Sequence, residues 1–97
     1  MKVVVSYDVR TDTPGGKKRL RRIAKLLESY GQRVQYSVFE CEIDQGQWLK
    51  LKSRVIDEIN QNEDSLRIYK LGNNWERKIE QIGVKKHYEM IKDVLIL

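Results

Sequence analysis

Six cations crowd nine residues of this chain: Lys17, Lys18, Arg19, Arg21, Arg22 and Lys25. They follow a Thr13-Pro14-Gly15-Gly16 turn and occupy the opening of a helix, the end at which the helix dipole disfavours positive charge. A phosphate backbone would supply the missing anions, and each contact would release counterions. A solvated polar face accounts for the same residues with no ligand at all. Asp8 is the second candidate. An acid at the end of a strand can be a turn residue bonding nearby amides. If two copies of the chain met close to it, two like carboxylates would need a proton or a cation between them. A hard divalent ion such as Mg²⁺ or Mn²⁺ takes oxygen ligands and keeps water on its other positions. Such an ion activates water and stabilises charge on a phosphoryl group.

The rest of the chain offers little competing chemistry. His87 is the one histidine and lies in a charged segment, where a surface role is expected; Cys41 alternates with Phe39 and Ile43 and reads as core. One cysteine and one histidine make neither a disulfide nor a zinc site. Pro14-Gly15-Gly16-Lys17 lacks the spacing of a phosphate-binding loop. Asp57-Glu58 and Glu63-Asp64 read as solvated charge, and Trp48 and Trp75 as core or interface anchors.

These residues need a scaffold, and the apolar pattern supplies one. Val3, Val5, Tyr7 and Val9 alternate with Val4, Ser6 and Asp8, the period of a half-buried strand. From Lys17 to Tyr30, Leu20, Ile23, Ala24, Leu27 and Tyr30 recur at helical spacing, and Gly31 is placed to end the helix. Arg33–Ile43 is extended, but its apolar set shifts from Val34, Tyr36 and Val38 to Phe39, Cys41 and Ile43. That change of face demands a bulge, a bend or a break near Ser37–Phe39. Asp44 and Gln47 suit a capping box for a second helix with Trp48, Leu51, Val55, Ile56 and Ile59 on its core stripe. Ser65–Leu71 is the next strand. After a Gly72-Asn73-Asn74 turn, Trp75, Arg77, Ile79 and Gln81 alternate as a short strand, and Val94–Leu97 forms a last apolar one.

The order predicts an α+β, ferredoxin-like split β-α-β domain over residues 1–97, an antiparallel sheet with both helices on one face. One sheet face then lacks helical cover, and the last strand has no home in one subunit. Pairing of two copies through the bare faces, each tail joining the neighbour's sheet, answers both needs. Asp8, on the face of Val4 and Ser6, would lie on that shared surface. The net charge of +5 points to an anionic partner. No apolar run approaches the roughly 20 residues of a membrane span, and no signal-peptide pattern opens the chain, so a cytoplasmic location is expected.

Three stretches carry a family resemblance: Tyr7-Asp8-Val9, the Arg-rich first helix, and Tyr30-Gly31-Gln32-Arg33-Val34-Gln35-Tyr36-Ser37-Val38-Phe39-Glu40-Cys41. With Asp64-Ser65-Leu66-Arg67-Ile68-Tyr69 they closely resemble the second CRISPR-associated protein, the small subunit of the spacer-acquisition machinery, from Met1 to about Ile82. The resemblance implies a ferredoxin-like homodimer that partners the integrase-like first CRISPR-associated protein and carries duplex DNA. It implies metal-dependent endonuclease activity on single-stranded RNA or double-stranded DNA, with one Mg²⁺ or Mn²⁺ shared by Asp8 of both subunits. Tyr7, Arg33, Ser37, Phe39 and either Arg19 or Arg22 match positions grouped with that aspartate. Arg33 or a first-helix arginine is expected to meet the phosphate. The competing readings are a DNA-binding scaffold that cleaves nothing, and a ribonuclease toxin of similar fold.

Overall fold

In a computed structural model, which describes residues 1–83, the alternating N-terminal run forms the central strand β1 (Lys2–Asp8). Val3, Val5 and Tyr7 are buried, Val4 and Ser6 half-buried, and Asp8 exposed. Helix α1 (Gly16–Glu28) buries Ile23 and Leu27. The strands β2 (Gln32–Gln35) and β3 (Val38–Glu42) are separated at Tyr36 and Ser37. The phase change in the sequence is therefore a break, a hairpin in which β2 and β3 pair antiparallel. Helix α2 (Gln45–Glu58) opens on the expected capping box, with the Gln47 N–H donating to Asp44 Oδ1 at 2.8 Å and the Asp44 N–H to Gln47 Oε1 at 3.0 Å. Strand β4 (Ser65–Gly72) completes a sheet of order β2-β3-β1-β4, with every pair antiparallel.

One core joins Val3, Val5, Tyr7, Phe39 and Cys41 of the sheet to Ile23 and Leu27 of α1 and Trp48, Leu51 and Val55 of α2. Both helices thus cover the face of Val3, Val5 and Tyr7. This is the ferredoxin-like plan.

Three expectations need correction. Gly31 does not end α1 through a left-handed backbone, because positive φ among the described residues occurs at Gly15, Gly72 and Gly83. Its N–H continues the helical pattern to the Leu27 carbonyl at 2.9 Å. A Cβ at this position would collide with the Glu40 carbonyl and with Cys41, so the glycine lets the chain cross close over β3. Ile56 is not core; it is 40% exposed. The segment from Trp75 is not a strand but a 3₁₀ turn, Trp75–Arg77. Its reason is local bonding: the Lys78 N–H reaches the Trp75 carbonyl, and Lys78 Nζ donates back to the Leu71 carbonyl at 2.6 Å. The Trp75 ring meanwhile packs under Lys2 Nζ, 3.9 Å from its centroid. The sheet face without helices is thereby partly flanked by the chain itself, since Val4, Val34, Val38 and Glu40 share a groove with Lys78–Gln81. The expected tail strand Val94–Leu97 and His87 lie outside the described residues.

Candidate active site

The pleat decides which candidates can act together. Asp8 ends β1 opposite Ser65 of β4, and the preceding pairs are Tyr7↔Leu66 and Ser6↔Arg67. Residues directly opposite each other in an antiparallel pair share a face. Asp8, Ser65, Ser6 and Arg67 therefore stand together on the helix-free face, joined by Val38 through its pairing with Ser6. The Asp8 side chain is exposed and makes no hydrogen bond or ion pair among the described residues. It is not the amide-bonded turn acid that a structural role would require.

The residues grouped with Asp8 by resemblance occupy the opposite face. Phe39 is wholly buried and Tyr7 is 4% exposed, their rings stacked with centroids 6.2 Å apart. Arg33 pairs directly with Phe39 and so points the same way; its guanidinium lies 5.1 Å from the Phe39 ring and 3.6 Å from Glu28. The Tyr7 hydroxyl donates to the Tyr36 carbonyl at 3.3 Å. Burial raises its pKa, and the adjacent Arg33 charge only partly opposes that. Ser37 is half-buried in the hairpin turn, and its carbonyl accepts the Tyr7 N–H at 3.0 Å. The group fixes the hairpin to the end of β1. It holds the backbone that presents Asp8 and does not face the same solvent as Asp8.

The basic helix divides as well. Lys17, Lys18, Arg21, Arg22 and Lys25 are exposed, and among the described residues only Arg22 of these approaches an acid, Glu58 at 4.0 Å. Arg19 differs. Its Nε donates to Asp64 Oδ2 at 2.9 Å, and its Nη2 donates to Glu63 Oε2 at 2.9 Å and Asp64 Oδ1 at 3.2 Å. The Asp64 side chain has no exposed surface, and it also accepts the backbone N–H groups of Arg10 and Asn60. Burial alone would raise the Asp64 pKa; the Arg19 fork and the two amides outweigh it and hold it below its usual value. The same bonds raise the pKa of Arg19. Glu63-Asp64 is thus a clamp between the β1–α1 loop and the α2–β4 loop, which corrects the expectation of solvated charge at this pair. Cys41 is core as expected, with burial pushing its thiol up to about 11.

A divalent ion fits this site in one respect and is constrained in another. Asp8 offers a free, exposed carboxylate, yet no cluster of three or more metal-ligating side chains exists among the described residues. The described residues of one chain do not cage an ion by themselves; a hard cation that keeps its waters and shares substrate oxygens is the kind such a site can take. Arg67 is a member of this face that the motifs do not single out. Its signal in the sequence is the alternation Ser65, Arg67, Tyr69, which puts it on the Asp8 face once the register is known.

Residues 1–79 match the family model described as CRISPR associated protein Cas2. The chain is 55% identical over 89 residues to the CRISPR-associated endoribonuclease Cas2 of Nitratidesulfovibrio vulgaris, covering 92% of this chain and 87% of that one. It is 50% identical over 96 residues to the CRISPR-associated endonuclease Cas2 of Halalkalibacterium halodurans, covering 99% of each. The crystal structure of Streptococcus pyogenes Cas2 at pH 6.5 superimposes with a TM-score of 0.76 at 51% identity, covering 86% of this chain and 100% of that one.

Proposed function

This chain belongs to the CRISPR-associated Cas2 family, and from that membership we propose that it serves CRISPR spacer acquisition as a metal-dependent endonuclease. The observation that carries the site is Asp8: an exposed carboxylate with no partner of its own among the described residues, on a sheet face without helices. Two copies meeting through that face bring two Asp8 carboxylates near one axis, where a shared Mg²⁺ or Mn²⁺ offsets their repulsion. When bound, the ion supplies Lewis acidity toward a phosphodiester and its attacking water. The chain's own part is to hold Asp8 in place, through the Tyr7–Ser37 backbone bond on one side and the Arg10–Asp64 bond on the other. The exposed cations of α1 bind the phosphate backbone of duplex DNA or single-stranded RNA. The integrase-like first CRISPR-associated protein is the proposed protein partner, and the cytoplasm the proposed place of work. No helix among the described residues is long and apolar enough to cross a membrane.

The test is cleavage of labelled duplex DNA and single-stranded RNA by the wild type and Asp8→Ala, with Mg²⁺, Mn²⁺ or chelator. Metal-dependent cleavage that vanishes in the variant, with the fold and dimer intact, is the expected result and identifies the polymer. Equal cleavage by both proteins, or none by the wild type, would leave Asp8 without a catalytic role.

A further inference from the structure

A single ion shared by two aspartates stabilises part of the charge that develops on the phosphate, and a fixed side-chain cation beside it would take up more. The sequence offers Arg33 and the first-helix arginines. Arg33 is held on the helix-covered face against Phe39 and Glu28, and Arg19 is committed to Glu63 and Asp64. Arg21 and Arg22 belong to α1, and α1 covers the face opposite Asp8. Arg67 is different on each count. It is exposed in the single chain, shares the helix-free face with Asp8, and stands opposite Ser6, the residue before Asp8 on that face of β1. Asp8 and Arg67 are thus diagonal neighbours on one face, a separation of about 7–8 Å that a long side chain can span. The guanidinium has no acidic partner among the described residues; its Nη1 donates to the Tyr69 hydroxyl at 3.4 Å. Tyr69, 46% exposed on the same face, sets the direction of the guanidinium without neutralising it.

We infer that Arg67 is a substrate-binding residue of the Asp8 site, donating to the phosphate that undergoes cleavage, with Tyr69 orienting it. This deepens the nuclease reading and rests on it for the catalytic part. The planar fork matches two phosphate oxygens, which a lysine ammonium does not reproduce.

The experiment compares wild type, Arg67→Gln, Arg67→Lys and Tyr69→Phe in two measurements. In cleavage assays, Arg67→Gln is expected to lose roughly 10²-fold in kcat, the scale of removing one electrostatic donor to a transition state. Added guanidinium ion should restore part of it, Arg67→Lys should recover less than wild-type activity, and Tyr69→Phe should lose several-fold. In binding assays with chelator present, Arg67→Gln should weaken oligonucleotide binding and reduce the salt slope by about 0.9 for duplex or 0.7 for single strands. The binding arm stands even if the wild type cleaves nothing, so failure of the nuclease reading and failure of this one are separable. An unchanged salt slope together with unchanged kcat would overturn the proposal. So would a change of oligomeric state in Arg67→Gln with binding per dimer unaltered, which would make Arg67 an interface residue.

Discussion

Tyr7 and Phe39 are buried on the helix-covered side of the sheet, away from the face that presents Asp8. Resemblance groups both with Asp8, yet the pleat turns them to the opposite face, where they stack in the core. Phe39→Ala should therefore cost about 3–5 kcal/mol of stability, the usual consequence of emptying a buried aromatic site. Tyr7→Phe removes the long hydrogen bond to the Tyr36 carbonyl and the phenol's hydrogen bond with Arg33, each a loss on the order of 0.5–1.5 kcal/mol. Cleavage per folded molecule should then stay near wild type in Tyr7→Phe, measured under conditions where circular dichroism shows the variant fully folded. A large fall in kcat at full folding would restore the phenol to the chemistry. Alternation in the sequence already separates Tyr7 from Asp8. What it cannot supply is the register of β4, and that alone brings Arg67 beside Asp8.

The elements themselves are mostly readable from the sequence because their signals are local. The alternation of β1, the phase break at Tyr36-Ser37 and the Asp44–Gln47 cap each lie within a few residues. Alternation misleads where a segment's own turn bonds and one distant contact override it. Trp75 alternates like a strand, but Lys2 and Leu71 draw its segment into a turn. The clamp of Arg19 on Glu63 and Asp64 spans the whole α1–α2 unit. Its one sequence signal is that Arg19, Ile23 and Leu27 are spaced by four, which sets a charge in line with the buried stripe of α1. Such a charge calls for a buried counterpart. Asp64→Asn should lower Tm at pH 7 and loosen the β1–α1 loop, read as faster amide exchange at Arg10 with β1 still protected. The pH dependence follows from the sign of the shift. A carboxylate held below its unfolded pKa of about 3.9 contributes stability above that pH and loses it as pH falls through the folded value. Wild-type and Asp64→Asn Tm values should accordingly converge on acidification. A constant difference down to about pH 2 would show that the charge of Asp64 is not what stabilises the clamp.

Across the molecule, charge is sorted by face. The net charge of +5 is carried in good part by the exposed side of α1, while the helix-free face holds Asp8 and Arg67. Lys18, Arg21, Arg22 and Lys25 recur at spacings of three and four, so they form one stripe along the helix. A stripe of exposed cations without acidic partners among the described residues suits a phosphate backbone running along α1, apart from Arg22 with Glu58 nearby. Replacing Lys18, Arg21 and Lys25 together by Gln should reduce the slope of log K against log salt by about 0.9 for each duplex phosphate no longer neutralised, roughly 2–3 for the set. Arg19→Gln should behave oppositely, lowering Tm and leaving the slope nearly unchanged, because its guanidinium is committed to Glu63 and Asp64. The contrast separates two explanations that net charge alone would merge. If the stripe binds the backbone, position on the helix decides the slope. If the protein attracts nucleic acid only through its overall charge, all four substitutions shift binding in proportion to charge removed, and Arg19→Gln would flatten the slope as much as any single stripe residue.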